Sequence, residues 1–318
     1  MPATEVLPGL FVIEVPLPGN PLKTLNSYII KAEKSLVIDT GFNMEVCYTE
    51  FIKALNEIGV DFKRAEYFIT HLHADHLGLA GRLTNRVYMS DVDIEIRQKF
   101  AGFKPDVLRF FKMNGLPQED IEGITRLHPA VRYSSSIDFQ PVRDGEIFEY
   151  GDYALKAILT PGHTPGHMCL YDEERKILFS GDHILFDITP NISYWEGHDS
   201  LREYLNSLDK IYKLDVDRTF PGHRGFRGEV KKRILELKEH HRKRLEEVID
   251  ALKGGARNAW QISPYITWDI TYSSWSEVPT VQKWFIINET IAHLIYLENN
   301  GIIATEIKNG NVYYKLVK

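Results

Sequence analysis

Cysteine is nearly absent: Cys47 and Cys169 are the two among 318 residues. That is too few for a disulfide framework, and neither sits at a metal-ligand spacing, so a reducing cytoplasm is the expected setting. Long apolar runs are also missing. None approaches the ~18 residues of a membrane span. The opening Pro2-Ala3-Thr4-Glu5 has neither a basic nor an apolar stretch, so no signal peptide is visible there. Positive charge is not in excess. Lys and Arg number 38 against 44 Asp and Glu, giving a net charge of −6 and a pI near 6.1. This argues against a protein built mainly to hold nucleic-acid phosphates. Internal repeats and low-complexity segments are lacking. Hydrophobic residues make up 43% and charged residues 26%, as in ordinary globular chains. The length suits one large domain, or one domain with a smaller companion.

What is present is histidine, concentrated in one place. Thr70-His71-Leu72-His73-Ala74-Asp75-His76-Leu77-Gly78 packs three imidazoles and a carboxylate into six residues, directly after the apolar run Tyr67-Phe68-Ile69. A strand ending there opens into a loop or helix start. Ligands on such a turn can converge on one point while a rigid sheet holds them. Neutral imidazoles and a carboxylate are what a zinc-like divalent metal binds. Packing alone does not account for a His-x-His-x-Asp-His order. Gly78 and Gly81 follow, where glycine lets backbone approach the site closely.

Strand and helix patterns surround this loop. Residues 6–15 read as an opening strand with a Pro8-Gly9 break, and residues 26–30 and 35–39 as a hairpin. Residues 44–58 carry a helical pattern with Gly59 at its end. Residues 65–70 form the next strand. Strand, helix, strand and then the histidine loop suit half of an α/β sandwich. Residues 86–89 read as a short strand and 91–126 as helical, with Phe100, Phe103, Phe110 and Phe111. Strands at 153–159, 168–171 and 176–180 repeat the first half's pattern, and 199–213 is an amphipathic helix. Composition shifts after Gly228. A long helix at 229–253 carries seven Lys/Arg between Lys231 and Arg244, and its charges, with His240 and His241, read as a solvated face. A helix at 280–298 precedes a hairpin through Asn309-Gly310-Asn311, an Asn-Gly turn signal.

The His-x-His-x-Asp-His order resembles the signature of the metallo-β-lactamase-fold hydrolases, and four further motifs occur in that family's order. Val37-Ile38-Asp39-Thr40-Gly41 is similar to the first, a strand-end Asp that supports the metal ligands from behind. Pro161-Gly162-His163-Thr164-Pro165-Gly166-His167 looks like the third, Ser180-Gly181-Asp182-His183 the fourth and Phe220-Pro221-Gly222-His223 the fifth. The resemblance covers roughly residues 8–228. It implies an αββα metallo-β-lactamase sandwich over residues 1–228, with a helical insertion at about 91–126 near the active-site mouth. That insertion would be core, lid or substrate wall. Residues 229–318 would be a helical linker and a small α+β winged-helix-like C-terminal domain.

The same resemblance implies two divalent metal ions, zinc in the first instance, with iron or manganese as alternatives. His71, His73 and His163 would take one, and Asp75, His76 and His223 the other. Asp182 would bridge, and Asp39 would hold a ligand imidazole or the Asp75 region. A metal-bridging hydroxide would attack, with Asp75 and Asp182 as the catalytic carboxylates and no Ser or Cys nucleophile. His167 would hydrogen-bond nearby or shape the turn, and His183 has no ligand role in the pattern. Tyr194 and Trp195 would stack on substrate or simply pack.

Asp182 stands where one β-lactamase subclass has Cys, and in this the ligand set resembles the glyoxalase II type. It implies a small-molecule substrate: a thioester or a related carboxylic ester or lactone, as for hydroxyacylglutathione hydrolase. A single-stranded RNA endonuclease and an iron-dependent persulfide dioxygenase are the alternatives. Nucleic acid is thus a possible but not a favoured partner, and the oligomeric state is open. His73 stands where the flavo-diiron branch has Glu. The 40 residues between Asp182 and His223 are too few for an inserted nuclease domain. A non-catalytic binding module is the bland alternative, and seven intact ligands speak against it.

Overall fold

The computed structural model describes residues 2–83, 86–99, 102–134, 137–225, 228–269, 272 and 274–317. Phe100 of the aromatic run lies outside them. The first sheet holds β1 (Thr4–Leu7), β2 (Leu10–Pro16), β3 (Thr24–Ile30), β4 (Leu36–Ile38), β5 (Glu66–Phe68), β6 (Val87–Ser90) and β7 (Gln140–Val142), in chain order across it. Strands β1 to β4 meander antiparallel, and β4 to β7 run parallel. A parallel neighbour needs a crossover, and α1 (Glu45–Glu57) supplies it between β4 and β5. Its buried Cys47, Phe51, Ala54 and Leu55 recur at helical spacing and cover the sheet.

Two one-turn helices, α2 (Ala74–Leu77) and α3 (Ala80–Leu83), follow β5. Between β6 and β7 the chain forms α4 (Asp91–Lys99), α5 (Pro105–Met113), α6 (Gln118–Leu127) and α7 (Pro129–Arg132). The helical stretch read over 91–126 is therefore several helices, with Pro105 and Pro117 at the starts of two of them.

The second sheet comprises β8 (Ile147–Tyr150), β9 (Tyr153–Leu159), β10 (Met168–Asp172), β11 (Ile177–Gly181) and β12 (Arg218–Pro221), ordered β12-β11-β10-β9-β8. Helix α8 (Ser200–Tyr212) makes the crossover to β12, which pairs parallel with β11. Alternation along β10 explains the layering. Met168 and Leu170 face the first sheet's Leu10, Tyr28 and Phe68, whereas Cys169 and Tyr171 face Leu201, Tyr204 and Leu208 of α8. Side chains of a strand point alternately to its two faces, so a strand apolar at every position must be covered on both. Helices outside two face-to-face sheets give the αββα sandwich. Each fully buried Leu or Phe in it contributes about 1.5–3 kcal/mol.

The C-terminal part holds α9 (Val230–Leu252), α10 (Ala259–Ile262), α11 (Thr280–Asn299) and the hairpin β13 (Ile303–Lys308)–β14 (Asn311–Leu316). Asn309 and Gly310 both have positive φ, at 51° and 77°, which the Asn-Gly turn requires. Val230, Ile234 and Leu237 of α9 join the layer over the second sheet. Further along, Val248 and Leu252 share a core with Phe111, Ile121 and Ile124 of the insertion and Trp284, Ile287 and Ile291 of α11. The insertion and the C-terminal helices are thus packed as one body.

Candidate metal centre

The histidine loop leaves β5, Asp39 follows β4, His163 follows β9, Asp182 follows β11 and His223 follows β12. These strand ends meet at one edge of the sandwich. His71, His73 and His163 present ligand atoms that lie within 4.8 Å of one another, as do Asp75, His76 and His223, and also His71, His76 and Asp182. The structure therefore brings together all seven side chains picked out by sequence, in the same two triads with Asp182 beside both.

Hydrogen bonds behind the rings fix which nitrogen faces inward. Asp39 Oδ2 accepts from His76 Nδ1 at 2.8 Å, so Nε2 is left for the site. The Asn191 carbonyl accepts from His163 Nδ1 at 2.7 Å, and the Thr24 carbonyl from His223 Nδ1 at 2.8 Å. Thr70 Oγ1 gives its proton to Asp39 Oδ2 at 2.8 Å and so accepts from His71 Nδ1 at 3.0 Å. His71 Nε2 then lies 3.0 Å from His73 Nδ1, and His76 Nε2 lies 3.3 Å from His223 Nε2. In a tetrahedral site with metal–nitrogen bonds of about 2.0–2.1 Å, neighbouring ligand nitrogens stand about 3.3 Å apart. His163 Nε2 and Asp182 Oδ1 are buried with no hydrogen-bond partner. Inward lone pairs at ligand spacing, backed by carbonyls and a carboxylate, fit a divalent cation.

Charge divides the centre in two. Burial holds His71 and His163 below the usual imidazole range and His73 at about 3. Burial also opposes charge on His76 and His223, but the carboxylates of Asp39 and Asp182 raise the first, and those of Asp182 and Asp75 raise the second. Burial favours protonation of Asp75 and Asp182, yet the neighbouring imidazoles win. Asp75 falls to about 2, and Asp182 stays well below the carboxylate range.

Backbone shape adds to this. Asp39 sits at φ 61°, a left-handed conformation at a strand end. Its two oxygens take Thr70 N–H at 2.8 Å, the Thr70 hydroxyl and His76. Gly222 has room for no side chain: a Cβ would stand 2.7 Å from Asp182 Oδ1 and 2.9 Å from His76 Cε1. At Gly78 a Cβ would meet Ala74 O, Asn43 N and Gly41 O at 2.5–2.6 Å, the close approach expected there.

Several contributors escaped the sequence reading. Asp93, fully buried in α4, accepts from Leu72 N–H at 2.9 Å, the Thr164 hydroxyl at 2.8 Å and Gly166 N–H at 2.7 Å. It ties the loop of His71 and His73 to that of His163. His167, by contrast, makes the nearby hydrogen bond expected of it: its Nε2 accepts from Asp182 N–H at 3.1 Å, so its Nδ1 donates to Thr160 Oγ1 at 2.9 Å. Asn191, whose carbonyl holds His163, donates through Nδ2 to Glu289 Oε2 at 2.6 Å. Glu289 in turn pairs with buried Arg244 of α9. Their apolar neighbours give none of them a periodic signal.

His240 and His241 depart from expectation. His241 is fully buried, its Nδ1 3.1 Å from His293 Nε2, and His240 is half-buried. One face of α9 is charged, but these two histidines turn towards α11. His240, His241 and Glu289 also cluster, but both Glu289 oxygens are already engaged by Arg244 and Asn191. His183 is buried with neither ring nitrogen hydrogen-bonded.

A cavity of about 540 Å³ opens beside His73. Tyr194 and Trp195 both line it. Trp195 donates through Nε1 to the His163 carbonyl at 3.2 Å, and Tyr194 stacks on Phe110 at 4.6 Å. Phe103 and Phe111 of the insertion and Trp284 and Phe285 of α11 supply further walls.

Two face-to-face sheets with a His/Asp cluster at their strand ends define a metallohydrolase of the αββα class. The chain belongs to the metallo-beta-lactamase superfamily, whose profile matches residues 22–223. It is 28% identical over 285 residues to beta-lactamase-like protein 2 homolog of Caenorhabditis elegans, covering 89% of this chain and 81% of that one. Human acyl-coenzyme A thioesterase MBLAC2 is 26% identical over 212 residues, covering 62% and 72%. The crystal structure of a metallo-beta-lactamase family protein from Thermus thermophilus superposes with a TM-score of 0.84 at 29% identity, covering 98% of this chain and 100% of that one. The chain spans about three fifths of the length of several fungal lactamase-like relatives.

Proposed function

We propose that the protein hydrolyses a thioester or a related carboxylic ester or lactone. The observation that carries this is Asp182 beside two ligand triads whose ring nitrogens are already turned inward. His71, His73 and His163 would hold one divalent ion and Asp75, His76 and His223 another, with Asp182 touching both. Zinc suits the donors best, and iron or manganese would also fit. When bound, such ions supply a nucleophilic oxygen at neutral pH, by lowering water's pKa from about 15.7 towards 7, and polarise a carbonyl.

The chain's own residues do the rest. Asp39 orients His76, the Asn191 carbonyl orients His163, and the Thr24 carbonyl orients His223. Asp182 and Asp75 stay ionised and offset the positive charge gathered there. Trp195 and the aromatic cavity wall shield the side of the centre next to His73. Thioesterase activity in the human relative's name supports the substrate class.

Residues 229–318, helices followed by the β13–β14 hairpin, are consistent with a winged-helix-like appendage to a catalytic domain at 1–228. Its basic helix does not favour RNA. Arg242 pairs with Glu239 and Glu246, Lys238 with Asp209, and Arg244 with Glu289. Both cysteines are buried and free, in keeping with a cytoplasmic setting. Among the described residues, no helix is long and apolar enough to cross a membrane.

The test is thioester hydrolysis by metal-loaded protein beside Asp182→Ala, with single-stranded RNA as second substrate. Thioester turnover lost in the variant is expected. RNA cleavage without thioester turnover would replace this reading with the nuclease.

A further inference from the structure

We propose that the cavity beside His73 is the acyl-chain site, and that the substrate carries an apolar acyl group of about ten carbons or more; this rests on the thioester reading above. The walls decide the chemistry. Phe103, Val107, Phe111, Trp284 and Phe285 line the cavity. Trp284 packs 4.1 Å from Phe111 and 5.0 Å from Phe103, centroid to centroid. His128, also on the wall, contacts Phe103 and Trp284 and is held neutral by burial, which pushes it down to about 4. Of the charges that line the cavity, Glu95, Lys99, Lys104 and Glu196 are on exposed side chains at its rim, and the half-buried Arg97 is a cation set deeper.

A thioester has two halves. The thiol carriers that cells use are polar, so the half that gains by entering an aromatic chamber is the acyl group. Size excludes a short one. A methylene takes roughly a water molecule's share of volume, about 30 Å³, so an acetyl or hydroxypropionyl group would leave most of the chamber empty. About ten carbons fill a little over half of it. Of the seven candidate ligands His73 is the one on the chamber's lining, which would put the carbonyl at the ligand cluster and the chain along the walls supplied by the insertion and α11. The substrate is therefore unlike that of a hydroxyacylglutathione hydrolase, which the ligand set resembles.

The experiment uses the full chain. Zinc-loaded protein is assayed with acetyl-, hexanoyl-, decanoyl- and hexadecanoyl-coenzyme A. Each methylene buried should raise kcat/KM roughly fourfold at first, so decanoyl should exceed acetyl at least a hundredfold. Turnover of acetyl with a flat or falling series overturns the acyl site and leaves the hydrolase reading standing. In parallel, metal-free protein is titrated with hexadecanoate by calorimetry. Val107→Trp, or Val92→Trp on α4 if the first variant does not fold, should weaken that binding at least tenfold. Unchanged binding in a folded variant, or none in wild type, overturns the proposal. Binding with no thioester turnover would sink the thioester reading and keep the chamber as a site for an acyl chain.

Discussion

Replacing Asp93 by Asn keeps the side chain's shape and changes one oxygen into an NH₂ group. Asp93 Oδ2 accepts from Leu72 N–H and the Thr164 hydroxyl, and Oδ1 accepts from Gly166 N–H. The hydroxyl can rotate to accept a bond instead, but the backbone N–H groups cannot. Whichever way the amide turns, one buried N–H faces another donor. Leaving such a group unsatisfied costs about 1–3 kcal/mol. In a chain of this size that corresponds to a fall in Tm of roughly 2–6 °C. The same two loops carry His71, His73 and His163, so metal affinity should fall about 10–100-fold, as when other outer supports are lost. Thermal unfolding of the metal-free protein and chelator competition measure the two effects. Burial pushes Asp93 up to about 6 against its three donors. The protonated acid is then the form the fold favours. Its contribution is complete below the unfolded value of about 3.9 and is lost as pH rises through about 6. Asn has no proton to lose, so the gap between wild type and variant should narrow from pH 4 to 6. A variant with unchanged Tm and unchanged metal affinity would refute Asp93 as the tie between these loops.

Four other outcomes follow from the same geometry. Asp182→Ala should cut bound metal from about two equivalents to one or fewer, read by elemental analysis; two retained equivalents would remove Asp182 from between the triads. Asp39→Asn should weaken metal binding about 10–100-fold in chelator competition, because His76 loses the anion that orients it; equal affinity would count against that role. His76 and His223 are raised by carboxylates, so the metal-free protein holds protons there that loading must expel. Calorimetry at pH 7 in buffers of different ionisation enthalpy should show proton release. The stability these two groups give the metal-free protein is complete below about pH 6.5 and is lost as pH rises through their higher folded values. Glu289→Gln leaves Arg244 buried without its anion, which should cost about 3–5 kcal/mol and lower Tm; an unchanged melting curve would show that the pair carries no stability.

The sheets and the run from His71 to His76 were legible because their signals are local, whereas His163, Asp182 and His223 were picked out through the family resemblance. Strand periodicity and short runs such as His71 to His76 need only neighbouring residues to be seen. Apart from Asp39, the supports were not legible, because each joins positions far apart: Asp93 reaches the Gly166 N–H, His223 the carbonyl of Thr24, and Asn191 the carboxylate of Glu289. A carbonyl acceptor places no demand on side-chain identity, so no motif records it. The histidines of α9 misled for a different reason. Composition registers a charged helix, but burial belongs to a face, and His241 shares its face with Leu237 and Arg244. Tyr194 and Trp195 stood evenly between packing and substrate contact. The structure puts them on a cavity wall while both also pack, so those readings were not exclusive.

The aromatic run in the insertion posed the same choice between core and wall, and packing explains why it serves as both. Phe111 and Ile124 are almost fully buried against α9 and α11, in a core that neither segment could close alone. A wall that must stay open to an apolar ligand cannot be made of loosely held rings, because they would collapse into the space. Rings anchored on one side by a dense core keep the other side vacant without that collapse. The C-terminal helices give the insertion that anchor. They also reach the metal centre through Glu289, Asn191 and His163. If the cavity holds the acyl chain as proposed, selectivity there and geometry at the ligands rest on the same buried contacts among the insertion, α11 and Asn191.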